Sequence, residues 1–305
     1  RDQSSSSSRV IAADANIDAL ESAGRTEPTM LLRPLLLAAT TGFRTPHTAT
    51  TGLKPLRFSH IHSCAATTYP ATKALYLEDA SLLEATATVL GVEHSEADGW
   101  TAVLDATIFH PQGGGQPADR GQLGDATVTA VFSEGRAGSG GVVYHALEGA
   151  PDSPPPITVG SEVACKIDSE HRSAAARTHS AGHLIDAAME RCGVTLEPTK
   201  GYHFPGSGAY VEYADPPETR MAPEERTALL PKLQAALDEL ISEDGPTDVA
   251  TDAEGTRIVT IGGLPCPCGG THVASSAGIG PVTIQGLKSK GSGKKKALRV
   301  SYSME

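Results

Sequence analysis

From Glu170 to Arg191 the chain reads EHRSAAARTHSAGHLIDAAMER. The run is rich in alanine and has Leu184, Ile185, Ala188 and Met189 at helical spacing, with Gly193 beyond it as a stop signal. It predicts a helix, and it divides two kinds of sequence. Upstream, residues 84–110 alternate apolar and polar through Ala85, Ala87, Val89, Val103, Leu104 and Ile108. Further β-like runs follow at Thr127–Phe132, Gly141–Leu147 and Glu162–Ile167, separated by glycine and proline such as Pro154-Pro155-Pro156. These predict a small, mostly antiparallel barrel over 75–167. Downstream, Pro223 to Glu243 predicts a second helix with Leu229, Leu230, Leu233, Leu237, Leu240 and Ile241 on one face. Pro231 must kink that helix or mark its first turn. Strands are expected near 207–213, 256–261, 282–287 and 297–302. Helices with antiparallel strands make the second unit, 168–305, α+β.

Composition narrows the function classes. The chain has 305 residues, room for one large domain or two ordinary ones, and is 39% hydrophobic and 20% charged, as a globular protein is. Aromatics are 4%, with Trp100 the single tryptophan, so stacking on many bases is not expected as its main business. A formal net charge of -11 argues against nonspecific nucleic-acid binding. Yet the stretch Lys288–Arg299 carries six basic residues and no acidic one, which leaves a local phosphate contact open. Five scattered cysteines do not form a disulfide framework, so a reducing compartment is expected. No apolar run approaches the roughly 20 residues of a membrane span.

Residues 1–74 are expected to be a tail. Ser4 to Ser8 form a serine run, Met30 is a plausible start, and no Asp or Glu occurs from Met30 to Leu77. That basic, hydroxyl-rich stretch has the composition of a transit peptide, for mitochondrion or chloroplast, with a cytoplasmic location as the alternative.

Two short motifs carry chemistry. In Arg177-Thr178-His179-Ser180-Ala181-Gly182-His183 the histidines are four apart, so a helix puts both imidazoles on one face. In Cys266-Pro267-Cys268-Gly269-Gly270-Thr271-His272 the adjacent glycines favour a tight turn that can fold a thiolate and an imidazole onto one ion. Together His179, His183, Cys268 and His272 suit one tetrahedral zinc. A redox pair at Cys266 and Cys268, or a buried structural cysteine, is the competing reading. The Cys-Pro-Cys spacing departs from the two-residue spacer of redox motifs.

These motifs resemble those of the AlaX family of alanyl-tRNA editing proteins and the editing domain of alanyl-tRNA synthetases, which pair a His-x-x-x-His helix with a Cys-x-x-x-His turn. A third segment adds to the resemblance: Phe109-His110-Pro111-Gln112-Gly113-Gly114-Gly115-Gln116-Pro117-Ala118-Asp119-Arg120-Gly121, like the glycine motif in the N-terminal barrel of longer members. Lys288-Ser289-Lys290-Gly291 resembles the family's C-terminus. The likeness spans about 75–305. It departs at His110, where tyrosine is usual, and at Ser180, where threonine is common. The resemblance implies zinc held by His179, His183, Cys268 and His272, and an α+β editing domain after a small antiparallel barrel. It also implies hydrolysis of Ser-tRNA(Ala), with Gly-tRNA(Ala) as a second substrate, and hence the charged tRNA(Ala) acceptor end as partner.

The glycines Gly113, Gly114 and Gly115 could bring backbone N–H groups to a phosphate or the RNA end, or make a barrel corner. Gln116 and Asp119 could instead fix the interface between the two units. Thr199, near Lys200 and His203, is a candidate for bonding a serine hydroxyl, against a solvated loop as the plainer reading. The attacking water could be zinc-bound or zinc-adjacent. Oligomeric state is not readable. Other classes compete. A full synthetase is not expected, the stretch before residue 75 being too short for an aminoacylation domain; a peptidase would want a glutamate directly after His179; and a non-catalytic zinc-containing tRNA-binding module remains as the alternative.

Overall fold

The computed structural model describes residues 68–305 apart from 97, 135–139, 219 and 293–295. Most of the expected tail and targeting segment therefore lies outside the described residues. The last residues of the stretch read as tail are described and carry structure. The Thr72 hydroxyl accepts from the Val143 N–H at 3.0 Å, and β1 (Lys73–Ala74) pairs in parallel with β4 (Ala106–Thr107). A short helix, α1 (Leu75–Glu78), buries Tyr76.

Alternating burial drives the barrel. In β8 (Glu162–Ile167) Val163, Cys165 and Ile167 point inward while their neighbours are exposed. A similar alternation runs through the middle of β2 (Glu84–Ser95) and the start of β6 (Ala126–Ser133), beside the short β5 (Gly121–Leu123), whereas all of β7 (Val143–Leu147) and the last three residues of β3 (Gly99–Leu104) are buried. Antiparallel pairing closes them in the order β2-β3-β7-β6-β5-β8, so none of these six strands is left at a sheet edge. Val89, Leu104, Leu123, Val128 and Ile167 fill the interior.

After the barrel comes α2 (Ser169–Arg191), begun by an Asp168 carboxylate that accepts from the His171 N–H at 3.0 Å and ended at Gly193, whose φ is 75°. The next elements are β9 (Pro198–Tyr202), β10 (Ala209–Ala214) and α3 (Pro223–Ser242). Then come β11 (Asp248–Thr251), β12 (Arg257–Ile261), β13 (Leu264–Pro267), β14 (Val282–Lys290) and β15 (Ala297–Met304). One antiparallel sheet runs β14-β15-β10-β9, and a second runs β11-β12-β13. Leu184, Ile185 and Met189 of α2 pack with Leu233, Leu237 and Leu240 of α3 against Val211, Tyr213, Val300 and Tyr302. Mixed α and β structure with a six-stranded barrel is thus the architecture. Pro231 does not start α3 but sits inside it. Both Pro231 and Thr227, whose carbonyl loses its partner, are exposed, so water meets that carbonyl.

Candidate metal centre

Two elements converge on one spot. Helix α2 carries His179 and His183 on the same face, their ring centres 5.1 Å apart. The turn after β13 brings His272 to 4.6 Å from the His179 ring and 5.0 Å from the His183 ring. Cys268 Sγ stands 3.2 Å from His272 Nε2 and 3.7 Å from His179 Nε2. All four donor atoms lie within 4.8 Å of one another. Donors in a tetrahedral zinc site are separated by about 3.3–3.8 Å, as bond lengths near 2.0–2.3 Å require. His183 Nε2 is buried with no hydrogen-bond partner among the described residues, as a nitrogen awaiting a metal would be. Burial holds His179 and His272 well below the ordinary histidine range and His183 down to about 4, so their lone pairs are free for coordination. Burial raises the Cys268 thiol, against a Gly270 N–H directed at its sulfur and the Arg257 charge, both of which favour the thiolate. The residues fit the ion.

Around these four lies a supporting ring of polar groups. Gln116 is fully buried, and its Oε1 accepts from His179 Nδ1–H at 2.7 Å and from the Thr271 N–H at 3.0 Å. Its Nε2 donates to Thr271 Oγ1 at 2.8 Å. A carbonyl oxygen can only accept, so His179 must carry its proton on Nδ1 and turn Nε2 toward Cys268. The Ser180 hydroxyl bridges His272 Nδ1 at 3.1 Å and the Val273 N–H at 3.2 Å. Arg257 donates to the carbonyls of Cys268 and Gly270 at 2.6 and 3.2 Å, pinning the turn. Arg257 and Thr271 carry no signal in their local sequence, since each acts only once the turn has closed.

The glycine motif serves this ring. Gly113 and Gln116 exchange backbone hydrogen bonds across a turn whose central residues, Gly114 and Gly115, have φ of 57° and 81°. Both angles are left-handed, which glycine adopts without strain. A Cβ on Gly115 would also meet the Gly201 carbonyl oxygen at 2.6 Å. The Gly115 carbonyl accepts from the His203 N–H at 2.8 Å. Gln116 and Asp119 act between the barrel and α2, the latter through a buried ion pair with Arg172.

His203 stacks on His179 with centroids 4.9 Å apart. Its Nδ1 lies 2.6 Å from Tyr302 Oη, and that hydroxyl donates to the Thr178 carbonyl at 2.9 Å. The phenol's one proton is committed, so Nδ1–H donates and Nε2 is the ring's acceptor. Thr199 is not drawn into this cluster. It is exposed on β9, and its hydroxyl donates to the Glu212 carbonyl at 3.1 Å.

Comparison with known proteins bears on the same residues. The family model for the threonyl and alanyl tRNA synthetase second additional domain matches 256–299, which includes Cys268 and His272. The alanyl-tRNA editing protein AlaX-M of Pyrococcus horikoshii is 30% identical over 227 residues, covering 74% of this chain and 95% of that protein. An alanine–tRNA ligase of Methanopyrus kandleri is 31% identical over 242 residues, covering 71% of this chain and 25% of the ligase. One from Thermofilum pendens is 32% identical over 247 residues, covering 71% and 24%. The chain thus spans about a quarter of the length of these ligases.

Proposed function

Because this chain belongs to the AlaX-type family of alanyl-tRNA editing proteins, we propose that it hydrolyses the ester of mischarged Ser-tRNA(Ala), with Gly-tRNA(Ala) as a second substrate, acting in trans. The observation that carries the reading is the convergence of His179, His183, Cys268 and His272 within 4.8 Å, on the motifs that mark the family. These four would hold one zinc ion. Bound there, zinc supplies Lewis-acid polarisation and a lowered pKa for a coordinated water.

The chain's own residues supply the rest. Gln116 holds the His179 tautomer, and Ser180 holds the His272 ring. His203, oriented by Tyr302, offers an acceptor nitrogen beside the cluster to orient a water or the substrate's ammonium group. The substrate ester is activated, so a positioned water is sufficient nucleophile. Editing of this kind is needed because pockets for small amino acids discriminate weakly by size. The acid-poor stretch Met30–Leu77 supports delivery to an organelle, which a fluorescent fusion of that stretch tests.

A second reading has one observation in its favour: four protein donors suit a closed structural zinc, whereas catalytic sites usually keep a position open. That reading makes the protein a zinc-containing tRNA-binding module. One experiment separates the two. Deacylation is followed on Ser-, Gly- and Ala-charged tRNA(Ala) with wild type, His183→Ala and Cys268→Ala, alongside zinc content. The editing reading expects about one zinc per wild-type chain and loss of Ser-tRNA(Ala) hydrolysis in both variants. Zinc-loaded wild type that leaves every charged tRNA intact would establish the module instead.

A further inference from the structure

The face of the β14-β15-β10-β9 sheet that points away from the core is unusual for this chain. Residues on a strand alternate sides, and β10 buries Ala209, Val211 and Tyr213 while turning Tyr210 and Glu212 outward. Cross-strand register carries that side over the whole sheet. Lys288 pairs with Arg299, Arg299 with Glu212, and Glu212 with Lys200, giving a row of four charged residues of which three are positive. Glu212 is taken up by Arg299 at 2.6 Å, so the lysines set the sign of the face. Lys200 and Lys288 are exposed. The whole chain carries -11, so this row runs against the charge of the molecule.

Beside that row stands a column of rings. Phe204 and Tyr202 stack with centroids 4.5 Å apart, and Tyr202 and Tyr210 stack at 5.4 Å, both pairs within 13° of parallel. The Arg299 guanidinium caps the column 3.7 Å from the Tyr210 ring centre. All three rings are partly exposed. In a chain with few aromatics, three of them form one solvent-facing stack. The column also shares a stretch of chain with a residue of the candidate metal centre's surround. Tyr202 and Phe204 face outward, and His203 between them faces inward onto His179.

From this we infer that the outward face of the four-stranded sheet is an RNA-docking surface, with Lys200 and Lys288 on phosphates and the Phe204–Tyr202–Tyr210 column, braced by Arg299, receiving unpaired bases. The inference rests on the tRNA-editing reading for its partner. It adds the surface by which the RNA's single-stranded end is led to the His–Cys cluster. Positive charge gives attraction without sequence preference, and rings at the rim give a stacking platform for bases that have left the stem. Composition alone hides this, because scarcity of aromatics in the whole chain says nothing about their gathering in one place.

Fluorescence anisotropy of tRNA(Ala) with the full chain, over a range of salt, tests the surface. The variants are Lys200→Glu combined with Lys288→Glu, Tyr202→Ala and Tyr202→Phe, with zinc content and circular dichroism checking the fold. The charge variant is expected to weaken binding by on the order of tenfold or more at low salt and to lower the log–log salt slope by about two. Tyr202→Ala should weaken binding by on the order of tenfold, and Tyr202→Phe should stay within about twofold of wild type. Binding and salt slope unchanged in all three would make the ring column mere cross-strand packing and overturn the inference, as would absence of tRNA binding by wild type. Deacylation of Ser-tRNA(Ala) by wild type is measured in parallel. Active wild type with unaffected variants sinks the surface alone. Inactive wild type with weakened variants sinks the hydrolysis alone.

Discussion

Gln116, on a barrel loop, accepts the Nδ1 proton of His179 at 2.7 Å, although 63 residues separate them along the chain. The bond decides which nitrogen of His179 faces the cluster, so the barrel helps to shape the candidate metal centre without supplying one of its four donors. Outer partners of this kind change metal affinity by about 10–100-fold when lost. Gln116→Leu, similar in size and without the acceptor, is expected to weaken zinc binding by about that factor. Gln116→Glu keeps an oxygen toward Nδ1 and should retain most of the affinity. Competition against a chromophoric chelator measures both, and equal affinity in all three proteins would remove Gln116 from the site.

Asp119 and Arg172 tie the same loop to α2. They are 0% and 3% exposed and form a direct ion pair. Arg172 also donates to the carbonyls of Ala80 and Ile108 at 2.8 and 2.6 Å, and Asp119 accepts from the His110 N–H at 2.5 Å. Removing one partner strands the other's charge in a dry setting. Asp119→Ala should therefore lose about 3–5 kcal/mol, and Asp119→Leu with Arg172→Leu distinctly less than the single change. Urea unfolding reads both. A single variant as stable as the double would mean the pair is hydrated.

The helix of His179 was legible because its period survives in the sequence, and the Cys268 turn because two glycines and a spaced ligand pair are local. Strand β8 was legible for the same reason, its inward residues alternating strictly. Strands β9 and β11 were not. Every residue of β11 is exposed, and Pro198 to Lys200 are too, so no apolar rhythm marks either; backbone pairing with β12 and β10 defines them. Thr199 is a candidate in sequence because it lies, with Lys200 and His203, between the helix and the strand expected at 207–213, near where a substrate pocket should form. Four residues of extended chain span about 13 Å, which carries it along the strand and away from the cluster. The Gln116 and Arg257 contacts depend on closure of the fold, and no window of local sequence contains both ends of the former.

Asp186 makes stability pH-dependent. Burial pushes its carboxyl up from 3.8 to about 7, although Tyr213 donates to Oδ1 at 2.6 Å and works the other way. The folded chain therefore keeps a proton that the unfolded chain gives up near the lower value. This contribution favours folding least once pH exceeds the folded pKa, and stability falls as pH rises through the window between the two values. Asp186→Asn keeps an acceptor for Tyr213 and has no proton to lose. Its advantage over wild type should be small at the acid end and grow to as much as roughly 4 kcal/mol by about pH 8. Denaturation curves of both proteins across that range check it, and a constant difference would show that Asp186 is charged in the fold throughout.

Gly182 lies between the two histidines of α2, and a Cβ there would fall 2.3 Å from His203 Cε1 and 2.8 Å from its Nδ1. Alanine raises intrinsic helix propensity by about 1 kcal/mol over glycine, so Gly182→Ala should leave α2 intact. His203 cannot stay where it is. It must withdraw from the His179 ring at 4.9 Å and stretch or break its bond to Tyr302. The four candidate metal donors do not include His203, so zinc content should hold near the wild-type level. A displacement of about 1 Å in a group that orients reactants can cost on the order of 10²-fold in rate. The variant should therefore be helical, zinc-loaded and slow in deacylation, with the loss in kcat more than in KM. Wild-type kcat in a zinc-loaded Gly182→Ala protein would show that His203 only fills space, and the acceptor role assigned to its Nε2 would fall.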